Sequence, residues 1–233
     1  MDDEGGPLEK RSILRDYGAT VVTAVTIALM IRFFVIEAYR IPNSAMRPTL
    51  EPGDTLFVAK WPFGLRFGGS KPFTQGRLPH PGEVVVYEHP SNPPRDSIKR
   101  VIGIPGDTVQ IIAGRLFLNG KPVSEVARKD APCGSEVLPG RRYPVCWEPP
   151  LLETIAPQIV PPGSVLVLGD ARTQPTIPLP GETVVQPVYA IVPFSALKGS
   201  ALWIWLSIQP SLASHGSSLF SRIRFERMFR RIQ

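Results

Sequence analysis

The chain has 233 residues, of which 43% are hydrophobic, and this is enough for an apolar anchor and one sizeable core. Its 27 prolines and 20 glycines are spread along the sequence, which favours many short strands joined by turns over long helices. The formal net charge of +6 would suit anionic lipid or nucleic acid. The sequence has no nucleic-acid-binding motif and no glycine-rich phosphate loop, so we expect no nucleic-acid partner and favour a membrane.

The first predicted element is a transmembrane helix. Residues 1–16 are polar, and residues 17–36 are apolar apart from threonines, one glycine and Arg32. A helix of this length spans roughly 30 Å, the thickness of a hydrocarbon core. A cleavable signal peptide is the alternative, but residues 37–40 provide no small-x-small cleavage site. Basic residues before residue 17 favour a cytoplasmic N-terminus, although the arginines after the run weaken this inference.

Residues 37–233 have the pattern of a β domain. Short apolar runs entered through Pro-Gly turns predict strands, and two closely spaced turns, Ala113-Gly114 and Asn119-Gly120, predict a hairpin. The predicted strands are Thr55–Val58, Glu83–Tyr87, Ser97–Ile104, Thr108–Ile112, Arg115–Leu118, Ser164–Leu168 and Val184–Val192.

Residues 124–160 are rich in proline and are predicted to form an irregular insertion or subdomain. The segment contains both cysteines of the chain, Cys133 and Cys146. In an oxidising compartment we expect them to form a disulfide, whereas in a reducing compartment they would be free thiols. The histidines do not indicate a metal site, because they are far apart and lack metal-ligand spacing.

Residues 218–233 form a basic C-terminal segment. Between Ser221 and Arg231, bulky apolar residues alternate with arginines. This pattern is consistent with an amphipathic helix that closes the domain, and equally with a segment that contacts a membrane surface.

The segment Ile41-Pro42-Asn43-Ser44-Ala45-Met46-Arg47-Pro48-Thr49-Leu50 is the most informative part of the chain. It resembles the nucleophile box of the type I signal peptidases, which are membrane-anchored serine proteases that remove signal peptides from exported proteins. In that family the pattern reads Ile-Pro-x-x-Ser-Met-x-Pro-Thr-Leu, and the serine before the methionine attacks the scissile bond. Ala45 occupies the serine position here, so the chain lacks the nucleophile of the family it resembles.

Further segments resemble the same family and occur in the same order. Together with the box they extend over about two thirds of the chain, which is a far stronger signal than any single motif. These segments are Gly53-Asp54, Lys60 to Arg66, Pro81 to Val86, Ser97 to Asp107, Gly114 to Pro122, Pro162-Gly163, Leu168 to Arg172 and Val192-Pro193.

The resemblance implies a catalytic dyad of serine and lysine that needs no cofactor or metal. A serine hydroxyl attacks only when a base accepts its proton, and this family uses a lysine as that base. Lys99 is at the matching position, and its apolar neighbours predict a buried amine with a lowered pKa. The amide of Ala45 and the side chain of Asn43 match the positions that donate hydrogen bonds to the oxyanion. Ser44, Met46, Asp170 and Arg172 are at supporting positions.

The sequence also departs from the family pattern near its second support box. The usual run Gly-Asp-Asn-Arg-Asp-Asn-Ser-x-Asp-Ser-Arg is replaced by residues 169–176, which keep only Asp170 and Arg172 of the charged positions. Ser44 is disfavoured as a substitute nucleophile, because neighbouring residues of an extended segment point to opposite faces.

Three interpretations remain open for function. The chain is a signal peptidase whose serine was replaced deliberately, a natural pseudoenzyme that binds peptides, or a membrane-anchored β domain used for interaction. If the site is competent, we expect a shallow apolar groove beside residues 43–46 and Ser97–Lys99, where a substrate lies as an added strand. The resemblance implies a single-pass monomer of the bacterial inner membrane. Its β domain would be extracytoplasmic, and its partners would be signal peptides and the lipid bilayer.

Overall fold

The structure is a computed structural model of the full chain. The residues that it describes are 8–65, 72, 74–89, 96–127, 132–147, 154–173, 188–210 and 219–232.

One long helix, α1, extends over Leu8–Phe34 and is followed after Val35 by strand β1, Ile36–Arg40. The predicted bounds of 17–36 were therefore wrong at both ends. Residues 8–16 continue the helix because most of them are good helix formers. The helix ends at Phe34 because the chain begins to pair in extended form, with the Lys60 amide donating to the Val35 carbonyl at 3.0 Å.

The described side chains of α1 from Tyr17 to Met30 are all exposed. Thr23 and Thr26 donate their hydroxyls to the carbonyls of Ala19 and Val22, one turn earlier. Among the residues that the structure describes, no helix has the length and mean hydropathy required to cross a membrane. The predicted transmembrane helix is thus not supported by these residues.

The described strands form three antiparallel sheets, which confirms a mainly β domain. The largest sheet has the order β1-β2-β14-β3-β4-β12-β13. Its strands after β1 are β2 (Asp54–Ala59), β3 (Val84–Glu88), β4 (Asp96–Gly103), β12 (Ser164–Leu168), β13 (Tyr189–Pro193) and β14 (Leu197–Ser207). Residues 184–187 of the predicted last strand lie outside the described residues.

Two smaller sheets complete the domain, with the orders β10-β9-β8 and β11-β5-β6-β7. Their strands are β5 (Thr108–Ile112), β6 (Arg115–Leu118), β7 (Lys121–Pro122), β8 (Ser124–Ala127), β9 (Cys133–Leu138), β10 (Arg141–Cys146) and β11 (Ile155–Ile159). The predicted hairpin is confirmed as β5 and β6, whose turn residues Ala113 and Gly114 both have positive φ.

The prediction that residues 124–160 are irregular was wrong, since β8 to β11 lie in this segment. Proline did not prevent strand formation because Pro144 and Pro157 lie on β10 and β11, which are sheet edges, and β11 also has an irregular register. A proline on an edge strand removes no hydrogen bond that a neighbouring strand requires.

In the part of the chain that the structure describes, the core consists of three clusters of buried side chains. One includes Met46 and Leu50 with residues of β2, β3 and β14, a second lies between β3, β4 and β12, and the third joins β4 and β12 to the smaller sheets. The loop that carries Ala45 therefore packs directly into the core, which limits its freedom.

The described part of the C-terminal segment forms two short 3₁₀ helices, Leu219–Arg222 and Phe225–Arg227, and not the amphipathic helix that was one of its two interpretations. Its arginines account for the difference. Arg224 and Arg227 turn inward and form ion pairs with Glu51 and Asp54. The segment closes the domain through these contacts.

Candidate active site

The loop of residues 41–50 lies within the connection 41–53 between β1 and β2, whose two ends are hydrogen-bonded to each other. The Ile41 amide donates to the Asp54 carbonyl and the Gly53 amide donates to the Ile41 carbonyl, at 2.8 and 2.9 Å. Met46 is 2% exposed and anchors the middle of the loop in the core.

Residues 44–50 form turns, with the Arg47 amide donating to the Ser44 carbonyl. The extended conformation assumed for Ser44 was therefore wrong. The side chain of Ser44 is exposed, whereas Ala45 is half-buried. Ser44 and Ala45 thus differ in how far each is withdrawn from solvent.

Lys99 lies on β4 opposite Val85 of β3 and is 3% exposed. Its burial is the main cause that lowers the pKa of the amine to about 8. The negative charge of Asp170 partly opposes this effect, and the positive charge of Arg172 reinforces it. Lys99 also lowers the pKa of nearby His89, after the larger effect of that residue's own burial. A substantial fraction of Lys99 is consequently neutral near pH 8 and able to accept a proton.

Gly169 is the residue against which Ala45 and Lys99 both lie. A Cβ atom added to Gly169 would be 2.5 Å from the carbonyl oxygen of Ala45 and 3.5 Å from Nζ of Lys99. Two residues later, the Ala171 amide donates to the same Ala45 carbonyl at 3.2 Å, and Ala171 forms a β-bridge with Cys146. Only glycine fits at position 169. Because it has no side chain, the loop that carries Ala45 and the side chain of Lys99 can approach each other.

Asp170 fastens the Ala45 loop to β4. Its carboxylate accepts two hydrogen bonds from the Arg100 guanidinium, at 2.8 and 2.7 Å, and a short one from the Thr49 hydroxyl. Arg100 also donates to the Gly82 carbonyl and lies 4.2 Å from the ring centroid of Tyr143. Because Arg100 and Asp170 are fully buried, this bidentate pair holds three segments of the chain in one arrangement.

Arg172 belongs to a second buried network. It donates to the Glu136 carboxylate at 2.5 Å and to the Gly169 carbonyl, and the Tyr143 hydroxyl donates to the same carboxylate at 2.6 Å. Glu136 is on β9 and Tyr143 on β10, so the small three-stranded sheet supports the segment that touches Ala45 and Lys99.

Asn43 accepts a hydrogen bond at the site. The Ala45 amide donates to Oδ1 of Asn43 at 3.2 Å. Asn43 was predicted to donate a hydrogen bond to an oxyanion, but in this arrangement its side-chain oxygen accepts from the Ala45 amide that an oxyanion would need. An oxyanion at this position would have to displace the Asn43 side chain.

A model of the family described as "Signal peptidase, peptidase S26" matches residues 14–175. The chain belongs to this family. It is 31% identical to the signal peptidase I of Pseudomonas aeruginosa PAO1 over 86% of this chain and 75% of that protein. It is 34% identical to the signal peptidase I of Bacillus licheniformis over 70% of this chain and 76% of that protein.

Other similarities are more limited in extent. The signal peptidase I of Pseudomonas fluorescens is 38% identical over 51% of this chain, and the chain spans 42% of that protein. A crystal structure of a signal peptidase I from Enterococcus faecalis V583 aligns with 53% of this chain and 97% of its own, at 22% identity and a TM-score of 0.31.

The two cysteines lie beside the site of this S26 family member. Cys133 and Cys146 are directly opposite residues of β9 and β10 and are joined by a disulfide. The Cys146 amide donates to the Asp170 carbonyl, and its carbonyl accepts from the Arg172 amide. The cross-linked hairpin therefore pairs with the segment that holds the Ala45 carbonyl.

Several residues of the site were missed in the sequence. Arg100 and Thr49 could have been found, because Arg100 adjoins Lys99 and Thr49 belongs to the nucleophile box. Glu136 and Tyr143 gave no usable signal, since their segment resembled an irregular insertion. Within the described residues, no group of three or more histidine, cysteine, aspartate or glutamate side chains could hold a metal ion.

Proposed function

We propose that this chain is a signal-peptide-binding member of the S26 family whose hydrolytic step is blocked at Ala45. As a signal peptidase it would be inactive or severely crippled. The observation that carries the proposal is Lys99, a buried amine with a pKa of about 8 that lies against the same glycine as Ala45. The site thus has a candidate base, but the residue at position 45 has no hydroxyl from which that base could take a proton.

The chemistry of a serine at position 45 follows from these positions. The Lys99 amine would accept the hydroxyl proton while the serine oxygen attacks the scissile carbonyl carbon. The resulting oxyanion would be stabilised by the backbone amide of residue 45 once Asn43 moves away. Lys99 would then return the proton to the leaving amine, and water would hydrolyse the acyl-enzyme. The methyl group of Ala45 supports none of these steps.

The Ala45→Ser variant tests this proposal. The full chain in detergent should leave a preprotein uncut at its small-x-small site, and Ala45→Ser should cleave it. The matched control is the double variant Ala45→Ser/Lys99→Met, which should be inactive because the new hydroxyl lacks its base. Cleavage by the unmodified chain, or equal cleavage by both variants, would contradict the assigned roles.

A natural pseudoenzyme or interaction protein is the second candidate, favoured by the hydrogen bond between Asn43 and the Ala45 amide. Under this alternative the Ala45→Ser variant would remain inactive. Adding Asn43→Gly to that variant, which removes the Asn43 side chain, would not restore cleavage either. Fluorescence anisotropy with a labelled signal peptide and a scrambled control peptide would then distinguish a pseudoenzyme from an interaction protein. Preferential binding of the signal peptide indicates a pseudoenzyme, and equal or absent binding indicates an interaction domain.

We also propose that α1 attaches the chain to the bacterial inner membrane, with the N-terminus in the cytoplasm and the β domain outside it. The exposed apolar side chains of α1, including Val22, Ile27 and Met30, support a contact with lipid. The measurement is alkaline extraction of membranes combined with protease protection in spheroplasts. Release of the chain by carbonate would contradict this attachment.

A further inference from the structure

A cavity of about 520 Å³ lies outside the candidate active site and is rich in arginine. Among its ten lining residues are the four arginines Arg77, Arg141, Arg142 and Arg231. They come from separate parts of the chain: the segment before β3, the start of β10 and the C-terminal segment. Among the described residues that line it, Glu83 is the only acidic one.

Glu83 balances the charge of only one arginine of the lining, Arg77. It is 2% exposed, and both of its oxygens accept from Arg77, at 2.6 and 2.9 Å. Ser200 and the His80 amide also donate to it. Although burial acts to raise the pKa of Glu83, these hydrogen bonds lower it, so the carboxylate is ionised. The three remaining arginines leave the lining with a net positive charge.

The arginines from β10 and the C-terminal segment are held in place by backbone features. A Cβ on Gly82 would be 3.0 Å from Cβ and Cδ of Arg141, so the stem of Arg141 crosses a turn that has no side chain. Arg231 forms a β-bridge with Trp203 of β14. Among the described residues, none forms an ion pair with Arg141, Arg142 or Arg231.

We propose that this cavity binds a phosphate group. A guanidinium donates in a planar fork that matches two oxygens of one anion. A carboxylate offers two oxygens in one plane, whereas a phosphate has four oxygens arranged tetrahedrally around one centre, of which two remain non-bridging even in a phosphodiester. A phosphate can therefore accept from several arginines of the wall at once. The phosphate can belong to a lipid headgroup or to a small soluble ligand, and the site is independent of the proposed peptidase chemistry.

The test uses the full chain in a non-ionic detergent. Inorganic phosphate and short-chain dihexanoyl phosphatidylglycerol are titrated separately at constant ionic strength, with binding followed by calorimetry. We expect saturable binding that is weakened about tenfold or more in Arg141→Gln/Arg231→Gln, because charge-assisted hydrogen bonds are lost. Binding of both ligands indicates a general phosphate site, and binding of phosphatidylglycerol alone indicates a lipid headgroup site.

The matched control is Arg40→Gln/Lys121→Gln, which removes the same charge from two exposed positions outside the cavity. This control should bind as the unmodified chain does. If Arg141→Gln disturbs folding, the single variant Arg231→Gln keeps the test available because Arg231 is exposed. Three results would overturn the proposal. They are an equal loss of affinity in the two double variants, no saturable binding of either phosphate ligand, and binding of tetraglutamate when neither phosphate ligand binds.

Discussion

Burial of a lysine side chain is costly because its ammonium group loses hydration, and Lys99 is 3% exposed. The charge of Asp170 only partly offsets this cost, since the pKa of Lys99 remains lowered to about 8. Asp170 itself already accepts from Arg100 and Thr49. The surroundings of Lys99 therefore suit a neutral amine better than an ion pair.

The pH dependence of Ala45→Ser should report this amine. A protonated Lys99 cannot accept the serine proton, so kcat/KM should fall about tenfold for each pH unit below the pKa of about 8 and level off above it. Initial cleavage rates across this range provide the measurement. A profile that still rises near pH 10 would show that Lys99 keeps the ordinary pKa of a lysine and that its burial does not tune it.

Lys99→Met should stabilise the domain near neutral pH. The folded pKa of about 8 is below the ordinary value of 10.5, so the cost of burying the ammonium is fully present below pH 8. Between these values the unfolded chain binds the proton that the native chain has released, and native stability rises with pH. The free energy of unfolding of the variant should therefore exceed that of the unmodified chain by on the order of 3 kcal/mol at pH 7. This difference should decrease as the pH rises above 8.

Urea unfolding followed by tryptophan fluorescence at several pH values measures this gain. Lys121→Met is the matched control, because Lys121 is exposed and its charge is already hydrated. It should change stability by less than about 0.5 kcal/mol at every pH. A constant gain for Lys99→Met from pH 7 to pH 10 would contradict the lowered pKa.

At the level of elements, the segment after β12 connects the parts of the site. Gly169 lies against Ala45 and Lys99, Asp170 binds Arg100 and Thr49, and the side chain of Arg172 forms an ion pair with Glu136 of β9. Strand β12 lies between β4 and β13 in the large sheet, so its end is fixed before the segment leaves the sheet. The candidate site is consequently positioned by strand pairing rather than by the loop of residues 41–50 alone.

Asp170→Asn should be strongly destabilising. It leaves the buried guanidinium of Arg100 without its charged partner, and breaking a buried ion pair from one side costs about 3–5 kcal/mol. The measurement is the urea midpoint of the full chain in detergent. Glu226→Gln, at an exposed carboxylate, is the control and should leave the midpoint nearly unchanged. If the urea midpoint of Asp170→Asn falls no further than that of the control, Arg100 must form an ion pair or hydrogen bonds with another partner.

For the whole molecule, the two ends of the β domain are joined by buried charges. Asp54, at the start of β2, is fully buried and accepts hydrogen bonds from Ser207, Arg224 and Arg227. Arg227 also donates to the carbonyl of Thr49, which belongs to the nucleophile box. The basic C-terminal segment is therefore part of the support for the Ala45 loop.

Arg227→Gln should lower the stability of the domain by about 2–3 kcal/mol, since it removes a buried charge that several acceptors share. Arg230→Gln, three residues later and exposed, is the control and should have little effect. Thermal unfolding of the two variants makes the comparison. Equal midpoints would indicate that the C-terminal segment is only a solvated tail.

Local patterns predicted the regular parts of the fold well. The strands Thr108–Ile112, Arg115–Leu118 and Ser164–Leu168 have the predicted bounds, because alternation and Gly-containing turns specify such strands locally. No element was predicted at Leu197–Ser207, which is a central strand of the large sheet. Its Lys, Gly and Ser residues interrupt the apolar pattern, and its pairing with β2 and β3 depends on residues far away in the chain.

The family, the alanine at position 45 and the lysine at position 99 were evident from the order of residues alone, because a motif is a local property. The tertiary structure decided what surrounds them. Sheet pairing brings Gly169 to Ala45 and Lys99, withdraws the lysine from water, and places Glu136 beneath Arg172. Burial and charge pairing depend on which distant segments meet, and the folded chain alone specifies those contacts.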